Sequence, residues 1–294
     1  MNGLTNYITE TKWEDTITTW FVLVDEAYQR MVKRGKGRLR ASGPAPSFTD
    51  SEVITVSLII ETYFQGHEEV GYAFVRQYLR GLFPRLIDLD RFNERRRQLV
   101  WVIETIRKDL RDQKLNRTDP IRLVDSAPVT VTTYTRGARC CSVVGPEYFG
   151  VVTSKKSKVY GFRLHASVTV DQLIDDWLLA PAAFPDPQVL EELVHDRRDL
   201  TLIGDKIYND AEREARHWQK RHILLLPLRK DNMKNQWPAG VQKALGYFRH
   251  AVETVFSTLS TVFNVERPRG RCLAGYVVRV ATCILAHTLS FFMV

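Results

Sequence analysis

The sequence predicts an α/β protein, a mixed sheet flanked by helices, preceded by an all-α region. Three observations lead there. Apolar residues recur at helical spacing as far as Arg111. The texture then changes at NRTDP, residues 116–120. From Ile121 onward, short apolar runs alternate with helical stretches in the order strand, hairpin, helix, strand, helix, strand, helix, which suits a mixed sheet with helices on its faces. The expected organisation is a helical region over 1–119 and an α/β region over 120–294.

Residues 12–34 read as the first helix, ended by the Gly-, Pro- and Ser-containing RGKGRLRASGPAPS. Thr49, Asp50, Ser51 and Glu52 open the next as an N-cap with acids in the first turn, and the apolar run over 53–60 continues it. Further helices are expected over 70–80 and 91–111. A strand begins at 121–124. After a long basic connection, YGFRLHASVTV (160–170) alternates as a half-buried strand does, and Asp171 and Gln172 turn it into a second strand over 173–179. A short helix over 188–196, a strand at 200–204, a helix over 210–221, a strand at 223–228 and a helix over 243–263 follow. From Cys272 the chain is markedly apolar, but Arg279 and His287 interrupt it, so a buried terminal helix is expected in place of a membrane span.

A chain of 294 residues has ample length for a packed core, and its formal net charge of +8 makes an acidic partner worth considering, although many basic enzymes bind no nucleic acid. The four cysteines show no metal-finger spacing and read as reduced thiols of a cytoplasmic protein. The N-terminus carries no secretion signal pattern.

Two strands end alike: IRLVDSAPV presents Asp125 and LIGDKIYND presents Asp205. In an open α/β sheet, strand ends are where distant segments converge on a ligand. Glu253 lies in YFRHAVETVFSTL, beside an apolar stripe of Val252, Val255, Phe256 and Leu259. Three carboxylates brought together repel one another, and a divalent cation relieves the repulsion. Oxygen-only ligands suit Mg²⁺ or Mn²⁺. A pair of such ions about 3.5–4 Å apart can activate a water or 3′-hydroxyl for attack on a phosphodiester.

These acids, with LVDSAPV, YGFRLHASVTV, LLAPAAFPD, LIGDKIYND, ILLLPLRKDN and RHAVETVFSTL, resemble the bacterial insertion-sequence transposases of the group numbered 982. The similarity extends to SFTDSEVITVSLIIETYFQGH and LFPRLIDLDRFNERR in the helical region. It implies an RNase H-like DDE catalytic domain over 120–294 and a DNA-binding region over 1–119. It further implies that Asp125, Asp205 and Glu253 bind two Mg²⁺ or Mn²⁺ ions, cleave element ends at terminal inverted repeats and join a 3′-hydroxyl to target DNA. Double-stranded DNA, a homodimer or larger synaptic assembly, and a bacterial, nucleoid-associated location go with that reading. Related transposases often carry Tyr-x-x-Arg-x-x-x-Glu followed seven residues later by Lys. Here Arg249 and Glu253 keep their spacing, Tyr247 sits one residue closer, and Ser260 stands in the Lys position.

Each candidate also has a plainer reading. Asp125 and Asp205 could cap the turns that follow them, and Asp186 could cap a helix. Glu253 could pair with Arg249 one helical turn away. His165, Lys206 and Arg249 are candidates for lining the site. For DNA phosphates the basic candidates are Arg34, Lys36, Arg38 and Arg40; Arg91, Arg95, Arg96 and Arg97; Lys155, Lys156 and Lys158; Arg229 and Lys230; and Arg267, Arg269 and Arg271. The 91–97 run, RFNERRR, could enter a major groove, with a helix-turn-helix somewhere in 49–111.

Overall fold

The computed structural model describes residues 10–35, 44, 46–152, 157–229 and 232–293. In chain order the elements are α1 (Glu10–Lys33), α2 (Asp50–Phe64), α3 (Glu68–Tyr78), α4 (Leu89–Gln98), α5 (Val100–Lys114), β1 (Ile121–Thr132), β2 (Phe149–Val152), β3 (Ser157–Val168), β4 (Ile174–Pro181), α6 (Asp186–Leu193), β5 (Thr201–Gly204), α7 (Ala211–Arg221), β6 (Leu224–Pro227), α8 (Ala239–Thr261) and α9 (Leu273–Leu289). They form two compact units, one of residues 1–114 together with 273–294 and the other of residues 115–272.

In the helical unit, α2 starts with a capping box. The Thr49 hydroxyl accepts from the Glu52 amide at 3.1 Å, and the Glu52 carboxylate accepts from the Thr49 amide. Its apolar run is almost wholly buried, Val53 to Ile60, and ends in a fully buried acid, Glu61. The single helix expected over 91–111 is two helices, broken at Leu99. The segment after Cys272, assigned from sequence to the α/β region, contacts α2, α4 and α5 as α9. A helix this apolar all round needs a core on every side, and its pattern does not say which core. Leu273–Phe292 is long and apolar enough to cross a membrane by composition alone, but most of it is buried within the protein.

Buried charge ties this unit together. Arg96 of α4 and Arg279 of α9 both pair with Glu61, the latter at 2.9 Å. Arg279 also donates to the Gln65 carbonyl at 2.7 Å. Beside them, burial among the helices pushes the Cys283 thiol well above its usual pKa.

In the α/β unit the sheet runs β2-β3-β1-β5-β6, with β4 also on β3. β1, β3 and β4 pair antiparallel, and β5 and β6 continue from β1 in parallel. This antiparallel trio extended by two parallel strands is the RNase H-like arrangement. The β3–β4 turn carries Gln172 at φ 68°, close to the expected Asp171–Gln172 turn. β1 continues well past the expected 121–124 despite Pro128, because β5 stops level with Val124 and no β5 residue stands opposite Pro128 to miss its amide. Val124, Leu202, Leu225, Leu190, Leu193, Val194, Ile223 and Tyr208 form the core under α6. The opposite face meets α8, which packs on β1 and β5.

Candidate active site

The strand register places the two aspartates side by side. β1 and β5 run parallel with Val124 level with Gly204, so Asp125 and Asp205 leave neighbouring strands at the same height. Asp205 also fulfils its plainer reading as a cap; Asp125 does not, because no turn follows it and β1 runs on to Thr132. Asp125 Oδ1 accepts from the Ser126 amide at 2.8 Å, and Asp205 Oδ1 accepts from the Lys206 amide at 2.6 Å, capping a short 3₁₀ turn. Gly204 makes room for that turn: a Cβ there would lie 2.6 Å from the Tyr208 ring.

α8 brings the third acid. Val252, Val255 and Leu259 are buried on its inner side, and Glu253 stands at the edge of that stripe, about half exposed. Arg249 joins the two elements. Its Nη1 donates to Asp205 Oδ1 at 3.0 Å and its Nε to Glu253 Oε1 at 2.8 Å. Asp125, Asp205, Arg249 and Val252 share a pocket of ≈ 10 Å³, room for about one water. Burial pushes the Asp125 carboxyl up to about 6; the Ser126 amide and Arg249 oppose this, while Asp205 and Asp186 add to it. Arg249 is held still more firmly protonated by Asp205, Asp125 and Glu253, against the effect of burial.

The donor set, oxygens from three carboxylates beside a single guanidinium, fits a hard divalent cation. In this arrangement the oxygens of Asp205 and Glu253 converge on Arg249, and among the described residues no three His, Cys, Asp or Glu side chains form a ready-made metal cluster.

Not every candidate joins the acids. His165 pairs across the sheet with Ser126, and Asp125 with Ala166, so His165 stands on the opposite face from Asp125. It is buried, its Nε2 has no hydrogen-bond partner among the described residues, and burial lowers its pKa to about 4. Lys206 is half-buried directly after Asp205.

Asp186, read from sequence as a helix cap, makes no cap hydrogen bond and stands on the His165 face of the sheet, away from Asp125. It is buried, accepts from Ser126 Oγ at 2.8 Å and pairs with Arg163. Sequence reasoning missed Tyr208, which is buried in the core under α6; burial raises its phenol well above the ordinary pKa, and the charges of Asp186, Asp125 and Asp205 add to this. Its place in LIGDKIYND, three residues beyond Asp205, was the available signal.

Several DNA-contact candidates are corrected by their surroundings. Arg95 donates to the Phe48 carbonyl and Asp50, and Arg96 is buried against Glu61 and Glu68. Arg229 grips Glu214 at 2.7 and 2.8 Å and lies over the Trp237 ring. These three hold their own unit together in place of facing a partner. Arg91, Arg97, Lys158, Arg267, Arg269 and Arg271 are exposed, and Arg34 is exposed while pairing with Asp109 at 3.2 Å. Lys36, Arg38, Arg40, Lys155, Lys156 and Lys230 lie outside the described residues. A roomier cleft of ≈ 350 Å³ in the helical unit sets Arg76 and Arg80 beside Glu69 and Asp88, so its charges balance and no acids converge there.

No curated protein matches the chain in sequence. Among solved structures, one described as "Mos1 transposase paired-end complex with left transposon end" aligns over 88% of this chain and 98% of its own, at 11% identity and a TM-score of 0.22, a likeness too slight to bear on the site. The family model described as "Transposase DDE domain" matches residues 114–273, a span that contains the sheet, both aspartates and Glu253. That match covers more than half of the chain, which therefore belongs to the family of transposase DDE domains.

Proposed function

We propose that this DDE transposase is an insertion-sequence transposase of the group numbered 982, and that Asp125, Asp205 and Glu253 are its catalytic acids. The observation that carries the reading is the junction at Arg249, which ties the end of β5 to α8 beside the end of β1. Only the fold brings these segments together, since they are 80 and 48 residues apart in sequence.

Transposase DDE domains act with divalent metal ions. In this chain Asp125, Asp205 and Glu253 would hold them, with Mg²⁺ or Mn²⁺ the ions that suit oxygen ligands and two the number proposed. Such ions, when bound, supply activation of the attacking hydroxyl or water and stabilisation of the leaving oxygen at a phosphodiester.

The chain's own groups prepare the site. Buried apolar residues behind the strand ends, Leu123, Ile203 and Val252, fix the carboxylates' height and exclude water from one side. The Ser126 and Lys206 amides each occupy one oxygen of an aspartate and so orient the other. Lys206 and Arg249, beside the acids, are proposed to meet the phosphate of the bound strand.

The substrate under this reading is double-stranded DNA, with terminal inverted repeats cut and joined to target DNA. The helical region is proposed to recognise the repeat and 115–272 to carry the chemistry, in a homodimer or larger assembly that holds two ends in the cytoplasmic nucleoid. The exposed Arg267, Arg269 and Arg271 are the basic cluster proposed to track its backbone. The test is a strand-transfer assay on the native element ends with Mn²⁺. Joined product supports transposition. Nicking without joining indicates a plain nuclease, and binding without nicking a silent DNA-binding descendant.

A further inference from the structure

The acid site already contains a cation. Arg249 reaches Glu253 one turn along α8, as an ordinary helical ion pair would, but its other edge reaches 44 residues back to Asp205. A guanidinium can do this because its fork carries donors on more than one edge, where an ammonium is a single point charge. The pocket that it lines with Asp125 and Asp205 retains ≈ 10 Å³, room for about one water. Three carboxylates with one guanidinium leave an excess of negative charge, which Arg249 relieves only in part.

Resting on the reading of Asp125, Asp205 and Glu253 as metal ligands, we propose that Arg249 is the resident cation of the metal-free site: it competes with the divalent ion for the oxygens of Asp205 and Glu253 and has to withdraw from them when an ion is held. Arg249 is thus a positioning residue that keeps the acids gathered before the ion arrives. A rival account, in which Arg249 is a fixed scaffold for the metal ligands, predicts the opposite sign when it is removed.

The test is Mn²⁺ titration of the full-length chain, stripped with chelator and free of DNA, followed by the paramagnetic resonance signal of unbound ion. Arg249→Met keeps the aliphatic stem and loses the charge; Arg249→Lys keeps the charge and loses the fork. We expect Arg249→Met to bind Mn²⁺ about threefold to tenfold tighter than wild type, the range set by two partly exposed ion pairs. Arg249→Lys is expected to lie between the two. In the absence of Mn²⁺, Arg249→Met should unfold at lower temperature than wild type, and saturating Mn²⁺ should narrow that gap.

Asp205→Asn and Glu253→Gln serve as reference and should weaken Mn²⁺ binding. If they do so while Arg249→Met binds Mn²⁺ equally or more weakly than wild type, the proposal is overturned and the acids keep their role. If neither reference variant changes Mn²⁺ binding, the metal-ligand reading is overturned, and the proposal with it.

Discussion

Asp125→Asn isolates the cost of placing a carboxylate at this strand end. Burial raises Asp125 from its ordinary 3.8 to about 6. A carboxyl whose pKa is higher in the folded chain contributes stability fully below the unfolded value and loses it as pH rises through the folded one. Asp125 therefore costs folding little at pH 4, where it is protonated in the folded chain, and opposes folding at pH 7.5 in metal-free protein. About two units at about 1.4 kcal/mol each sets an upper bound near 3 kcal/mol, and relaxation of a partly accessible site brings the expectation to about 1–3 kcal/mol. Asparagine keeps the shape and the acceptor for the Ser126 amide but carries no charge. Urea unfolding with chelator present should thus show Asp125→Asn more stable than wild type at pH 7.5 by about that amount, with the difference shrinking towards zero at pH 4. Equal differences at both pH values would refute the reasoning, because they would trace the effect to packing and not to charge. The same variant should lose DNA cleavage, so stability gained and activity lost would mark a functional acid.

Three further outcomes are expected. Glu61→Ala removes the buried carboxylate that Arg96 and Arg279 share and should cost about 3–5 kcal/mol or prevent folding, whereas a Glu61→Gln chain should retain part of that loss, both read by thermal unfolding. Gly204→Ala pushes a methyl into the Tyr208 ring and should cost about 1–3 kcal/mol while lowering cleavage further than the stability loss explains, because Asp205 follows directly; unchanged cleavage rates would contradict this. Replacing Arg267, Arg269 and Arg271 together by Ala should flatten the salt dependence of DNA binding by up to about 3 in slope, whereas Arg95→Ala should lower the unfolding temperature and leave the slope alone.

The parts legible in the sequence were those governed by local physics. Apolar runs ending in an acid announced Asp125 and Asp205, and Thr49 with Glu52 announced the start of α2. The spacing of Val252, Val255 and Leu259 placed Glu253 at the rim of a buried stripe. What escaped depended on pairing that no local pattern encodes. The alternation of β3 showed that His165 faces one side of the sheet, but only its register with β1 reveals that Asp125 faces the other. Arg95 and Arg96 looked like a basic surface because α4 is rich in arginine; the clue to their burial was Glu61, an acid closing an apolar run and in need of a partner. The apolar stretch after Cys272 was correctly read as buried, yet nothing in its composition distinguished one core from the other.

The most direct measurement is metal-dependent nicking and joining of element-end DNA by wild type beside Asp205→Asn, with DNA binding recorded for both. The account predicts that wild type nicks and joins in Mn²⁺, and that Asp205→Asn binds the same DNA with comparable affinity and leaves it intact. Cleavage by Asp205→Asn at the wild-type rate would contradict it.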